Sequence, residues 1–211
     1  MSDPSYRSIA KFYDVFDRIF LLDDKGNPRI GLLEAIPDAP LRVLDVCSGT
    51  AASALRLAIH NPHNQIVGID ISPQMLAVAR RKVQAAGVTN LELQAMSADA
   101  LRFADGSFDA VMVSFALHEM DAGLRRRIFA EIERVLKPGA PLYVIDFARQ
   151  PGWRNRWFIG LWGCFEPACF AAFLELDWTA GLNNGGLVFE RSHSYAFSNL
   201  YVLRKRRQGS L

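Results

Sequence analysis

Cysteine is scarce in this chain: Cys47, Cys164 and Cys169 are the only three among 211 residues. Their number is odd, they are scattered, and they lack metal-ligand spacing, which argues against a disulfide framework or a cysteine-held metal. A reducing, cytoplasmic setting fits such usage. None of the four histidines pairs with another at metal spacing, so no metal is expected. The opening MSDPSYRSIAKFYD lacks a basic-then-apolar leader, and export is not expected. No apolar run reaches the roughly 18 uninterrupted residues of a spanning helix. The nearest, Trp157 to Leu174, is broken by Glu166 and Pro167. Charge of one sign is also missing: the net +2 gives no reason to expect a nucleic-acid partner. The run Arg204 to Arg207 is a local exception that reads as a solvated tail.

What is present is a strongly apolar chain, 50% hydrophobic and 22% charged, sufficient for one well-cored domain with a modest appendage. Apolar residues at spacings of three and four predict a helix over 5–22, and DDKGNP a turn before a short helix ending at Pro37. From Leu41 onward strands and helices alternate. Strands are expected at Leu41–Val46, Gln65–Asp70, Leu91–Gln94, Phe108–Phe115 and Leu142–Phe147. Helices are expected over Thr50–His60, from Pro73 (with Ser72 as N-cap) to Ala86, and over Ala122–Leu136. That alternation predicts an α/β fold, a parallel sheet covered by helices on both faces. Residues 152–178 are aromatic-rich and read as helical. Leu187–His193 and Tyr195–Leu203 read as an antiparallel pair bending near Ser194.

The stretch VLDVCSGTA is where glycine is missed most. A buried strand carrying Asp45 breaks into small residues and then a helix, a usual way to seat a nucleotide. Dinucleotide sites place three glycines here to seat a pyrophosphate. This turn has Gly49 alone, so a nucleoside without phosphates is better served. Asp70 closes the second strand, where a carboxylate can accept from a ribose diol, and Asp99 follows the third, placed to accept from an adenine amino group.

VLDVCSGTA, IVGIDISPQMLAVAR, MSADALRFADGSFDAVMVSFALHEM and VLKPGAPLYVIDF occur in order and resemble the class I S-adenosylmethionine-dependent methyltransferases over roughly residues 10 to 148. KFYDVFDRI and ALHEM bring the chain closest in style to the small quinone-biosynthesis and lipid methyltransferases. The resemblance implies a single doubly wound, three-layer Rossmann-like domain. Its mostly parallel seven-stranded sheet would end in an antiparallel strand pair. A helical cap would occupy 1–40, the cofactor-binding core 41–148, an aromatic lid 149–182, and the strand pair with its basic tail 183–211. By position, Asp45, Cys47, Ser48 and Gly49 would cradle the amino-acid moiety of S-adenosyl-L-methionine, and Asp70 the ribose. Ile71 and Met75 would pack near the adenine, Asp99 and Ala100 would face it, and Ser114 and Phe115 would line the floor by the methyl. Tyr13 would close over the site. The family commonly has glycine where this chain has Cys47 and Ala51, and Ala51 adds a methyl where the cofactor is expected to pass.

The implied reaction is methyl transfer by direct displacement to a small or lipophilic acceptor, quinone-like or phospholipid. His118, just past the fourth strand, is the candidate general base, with a pocket-lining or capping histidine as the equal alternative. The segment around Trp153, Trp157, Phe158, Trp162, Phe165, Phe170 and Phe173, with Arg154 and Arg156, reads as a core-forming cover, a greasy lid, or a peripheral membrane contact over 153–173. Alternative functions are a catalytically weak or inactive binding protein of the same fold, a nicotinamide oxidoreductase, and a polyamine synthase.

Overall fold

The computed structural model describes residues 27–164, 166–178 and 185–207. The helix expected over 5–22, with Tyr13, lies outside them, as does most of the GLNNGG turn. The described elements run α1 (Pro28–Ala35), β1 (Arg42–Val46), α2 (Ala52–His60), β2 (Gln65–Asp70), α3 (Pro73–Ala86), β3 (Leu91–Ala95) and β4 (Ala110–Ser114). A 3-10 turn (Leu117–Glu119) leads into α4 (Ala122–Val135), then β5 (Pro141–Phe147), α5 (Trp153–Trp162), α6 (Cys169–Leu174), β6 (Leu187–Ser194) and β7 (Ser198–Lys205).

The strands form one sheet in the order β3-β2-β1-β4-β5-β7-β6. Neighbours from β3 through β5 are parallel, while β7 runs antiparallel between β5 and β6. Period-two alternation sorts each strand onto two apolar layers. Leu44, Val67, Val111, Val144 and Leu203 pack with Ile128 and Ile132 of α4 and with Phe173. Val43, Ile66, Met112, Tyr143 and Val202 pack with Leu32 of α1, Leu57 of α2 and Ala79 of α3. The same alternation places Asp45 on the α1–α2 side and Asp146 on the α4 side of the sheet.

Local sequence sets the boundaries. Asn27 caps α1 by accepting from the Arg29 amide at 2.9 Å, with Pro28 at the first helical position. Ser72 caps α3 through the Met75 amide, and Gly87 ends that helix at φ 67°. The aromatic segment divides into α5 and α6 with Pro167 between them. Its inner side, Phe158, Ile159, Phe170 and Phe173, is buried. Asn155, also buried, fastens α5 to the sheet: its side chain donates to the carbonyls of Ala148 and Ala196 and accepts from the Gln150 amide.

Candidate functional site

Going outward from the sheet centre, β1 leads to chain on one side and β4 to chain on the other, and crevices form at such switch points beyond the carboxyl ends of the strands. A cavity of about 340 Å³ opens there, lined from the ends of β1, β2, β3 and β4. That volume lies within the range of small-molecule sites.

The turn after β1 is held by backbone. Ser48 donates to the Ile69 carbonyl and Ala51 to that of Ser48, both at 2.8 Å. Cys47, Gly49 and Ala51 all take left-handed backbone, at φ 59°, 54° and 61°. This is the physical reason glycine suits the first and third of these positions in the family, since a Cβ costs roughly 1–2 kcal/mol in that region. Ala51 is fully buried in the apolar layer under α2 and does not line the cavity. Its methyl packs inward, away from the cavity where the cofactor is expected. Ala51→Gly is expected to shift stability by less than about 1 kcal/mol, because relief of the left-handed strain offsets the lost methyl and the added chain entropy. Ala51→Val, branched at a left-handed position in a filled core, is expected to cost about 2–4 kcal/mol by urea unfolding.

Asp70 ends β2 with both oxygens seated. Oδ2 accepts from the Gly49 amide and Oδ1 from the Ser72 amide, each at 2.8 Å. Burial raises its pKa against those amide bonds. At Gly68, two residues earlier, a Cβ would stand 2.9 Å from the Leu93 side chain and 3.2 Å from the Ser48 hydroxyl, so the turn lies close on β2 over a residue without a side chain. The buried Ser48 hydroxyl lines the cavity and has no hydrogen-bond partner among the described residues.

Arg29 and Glu119 are cavity residues that sequence reasoning did not assign to the site. Arg29, in α1, is 6% exposed, donates to the Ser53 hydroxyl at 2.9 Å, and stands 5.3 Å from the Phe115 ring centroid. Ser53 in turn meets Ser114 at 3.0 Å. An arginine in the otherwise apolar RIGLL gave the only signal. Asp45 lies behind the wall, 1% exposed and off the cavity lining. Burial pushes its carboxyl up to about 8, with the Arg29 guanidinium opposing and the Asp70 charge adding. Burial likewise pushes the Cys47 thiol up, helped by the same two carboxylates.

Of the residues expected at the site, Cys47, Ser48, Gly49, Asp70, Ile71, Met75, Asp99, Ser114 and Phe115 line this cavity. Asp99 is held below the usual carboxylate range by the Ser97 hydroxyl and the Arg127 guanidinium, the latter at 3.1 Å. Ala100 is exposed and off the wall, and Tyr13 lies outside the described residues. His118 takes a different place from these residues. It is fully buried and absent from the cavity lining, because the 3-10 turn directs it toward β5. Its Nδ1 lies 2.6 Å from Asp146 Oδ1, and its ring packs against Phe147, Phe170 and Phe173. Burial opposes the imidazolium but is outweighed by Asp146, with Glu166 and Glu119 adding, and the pKa is raised.

Residues 43–139 match the family model for a methyltransferase domain. An uncharacterized methyltransferase of Synechocystis is 32% identical over 203 residues, which is 92% of this chain and 90% of the relative. The chain belongs to the methyltransferase family. The demethylmenaquinone methyltransferase of Thermus thermophilus is 39% identical to this methyltransferase over 150 residues, covering 69% of the present chain and 66% of the relative. The chain thus spans slightly less than two thirds of that relative's length. The crystal structure of a SAM-dependent methyltransferase from Aquifex aeolicus superposes with a TM-score of 0.68 at 22% identity. It covers 97% of this methyltransferase and 100% of its own chain, and bears on the fold.

Proposed function

We propose that the chain transfers a methyl group from S-adenosylmethionine to a lipophilic, quinone-like acceptor. The observation that carries this reading is one cavity wall uniting the amide-seated Asp70 carboxylate, the buried Arg29 guanidinium and the Ser48 hydroxyl, which has no hydrogen-bond partner among the described residues. An adenosyl group with an amino-acid tail offers the complement: a diol, a carboxylate and an ammonium. When bound, the cofactor supplies a sulfonium methyl, already a strong electrophile. Asp70 accepts from the ribose hydroxyls, and its seat on two amides fixes the direction of its remaining lone pairs. Arg29 pairs with the carboxylate of the tail, and Ser48 bonds beside it. Met75 and Ile71 cover the adenine, Asp99 accepts at its amino edge, and Ser114 and Phe115 form the floor. Residues 1–40 serve as cap and 149–182 as lid over the 41–148 core, with Tyr13 closing from the cap.

His118 does not act as the base in this reading, since its ring is buried and stands off the cavity lining. It positions the turn that presents Ala116, Glu119 and Met120 to the wall. In-line placement of acceptor and methyl supplies most of the acceleration. The acceptor class follows from the relatives named for demethylmenaquinone and from the apolar Met120, Leu124 and Ile128 on the acceptor side.

Such an acceptor resides in lipid, and α5 is built to reach it. No described helix is long and apolar enough to cross a membrane. Yet Trp153, Trp157 and Leu161, one helical stripe, are 77%, 66% and 51% exposed, with exposed Arg154 and Arg156 beside them. Indole rings and guanidinium groups together suit the headgroup boundary of an anionic bilayer. Trp153→Ala with Trp157→Ala is expected to weaken sedimentation with phosphatidylglycerol vesicles at least tenfold while leaving S-adenosylmethionine affinity within twofold.

Incubation with methyl-labelled S-adenosylmethionine and a reduced, demethylated, isoprenoid-tailed naphthoquinone is expected to move label into the organic phase. Calorimetry should show S-adenosylmethionine binding. Binding of NAD without S-adenosylmethionine overturns the reading, and cofactor binding with no transfer to any reduced quinone overturns the acceptor class.

A further inference from the structure

We propose that His118, Glu119 and Glu166 form a divalent transition-metal site joining the turn after β4 to the lid. The Nε2 of His118 and one carboxylate oxygen of each glutamate lie within 4.8 Å of one another. The distance from Nε2 to Glu166 Oε2 is 3.6 Å, and to Glu119 Oε1 3.9 Å. The His118 side chain is 1% exposed, that of Glu166 8% and that of Glu119 45%.

Asp146 determines which ring nitrogen faces this cluster. Its Oδ1 lies 2.6 Å from Nδ1 and holds that nitrogen's proton, so an Nε2 that gives up its own proton when a metal binds offers a lone pair to the cluster. Nε2 has no hydrogen-bond partner among the described residues and is aimed at two carboxylates. The buried Nε2 is thus set against Phe147, Phe170 and Phe173 on one side and two carboxylates on the other, and Glu119, 45% exposed, leaves an ion a way in from solvent. Both separations exceed hydrogen-bond length. They approach the roughly 3.4 Å between two ligands that each bind one tetrahedral ion at about 2.0–2.2 Å. A carboxylate on the far nitrogen is also the usual support of a metal-bound histidine. One imidazole and two carboxylates suit Zn²⁺, Co²⁺ or Mn²⁺.

The neighbouring groups keep the ligands in place. Arg125 donates to the Leu117 and Met120 carbonyls on either side of the turn, and the Cys169 thiol contacts the His118 carbonyl from α6. Glu119 also lines the cavity at the strand ends and Glu166 a second cavity, so the site lies in the wall between them. A cation there would pin the lid to the core. Cation binding does not depend on the methyl-transfer reading.

The test uses tag-free, chelator-stripped protein titrated with Co²⁺ alone, followed by visible absorption and equilibrium dialysis. One equivalent is expected to bind, with ligand-field bands of a low-coordinate nitrogen-oxygen site. Glu166→Gln and Glu119→Gln, each checked for fold by circular dichroism, should weaken binding at least tenfold. His63→Ala, at the exposed pair with Asp38, should leave it unchanged. Absence of saturable binding overturns the proposal. So does binding that survives both glutamate substitutions or that is lost in His63→Ala.

Discussion

Asp146→Ala is expected to lower stability by about 3–5 kcal/mol, the cost of removing one partner of a buried pair. The carboxylate is fully buried and organises four donors. Oδ1 takes the His118 ring at 2.6 Å and the Phe147 amide at 2.8 Å. Oδ2 takes the amides of Leu117 and His118 at 3.0 and 3.3 Å. Alanine leaves all four without an acceptor in a region closed to water, and each orphaned donor carries a desolvation cost. Asparagine preserves the shape and one oxygen, and should cost roughly 1–3 kcal/mol by the same accounting. Urea unfolding measures both. A loss below about 1 kcal/mol in the alanine variant would mean that water or a shifted turn satisfies the donors, and that β5 does not fix the 3-10 turn.

Asp70→Ala should weaken S-adenosylmethionine binding by about 1.5–3 kcal/mol, the range for hydrogen bonds to a charged group and roughly a ten- to 150-fold rise in Kd. Two effects add. The ribose acceptor is removed, and the Gly49 amide loses the oxygen that holds the turn after β1. Asp70→Asn separates them: its carbonyl can still take one amide while the charge is gone, so it should fall between alanine and wild type. Calorimetry with S-adenosylmethionine and with adenosine alone checks the placement. Adenosine should suffer the same proportional loss, since the diol is common to both. Unchanged affinity in Asp70→Ala would remove the ribose from this edge of the sheet.

The sheet was legible because its strands are apolar on both faces and its helices carry their own caps, as at Ser72 and Pro73. Boundaries moved where tertiary bonds intervene. β4 begins at Ala110 rather than Phe108 because the Asp109 carboxylate takes the Arg42 amide and Lys137, leaving Phe108 in a lone bridge to Leu136. α2 begins at Ala52 rather than Thr50 because Ala51 is left-handed. The bend between β6 and β7 falls after Ser194, closed by the Tyr195 amide on the Ser198 carbonyl. At the site, strand-end residues were readable because position along a parallel strand determines which end they reach. His118 was not, since its direction is set by Asp146, a partner distant in sequence. Arg29 was hidden for the same reason: its burial depends on Ser53 and Ser114, on other elements.

The placement of β7 between β5 and β6 bears on synthesis. Until Ser198–Lys205 have left the ribosome, β5 keeps one row of amides and carbonyls unpaired beside an otherwise assembled parallel sheet. Such an open margin is a template for pairing with other chains. Nascent chains halted before β7 should therefore be held by chaperones or aggregate, whereas those halted after it should already resist protease.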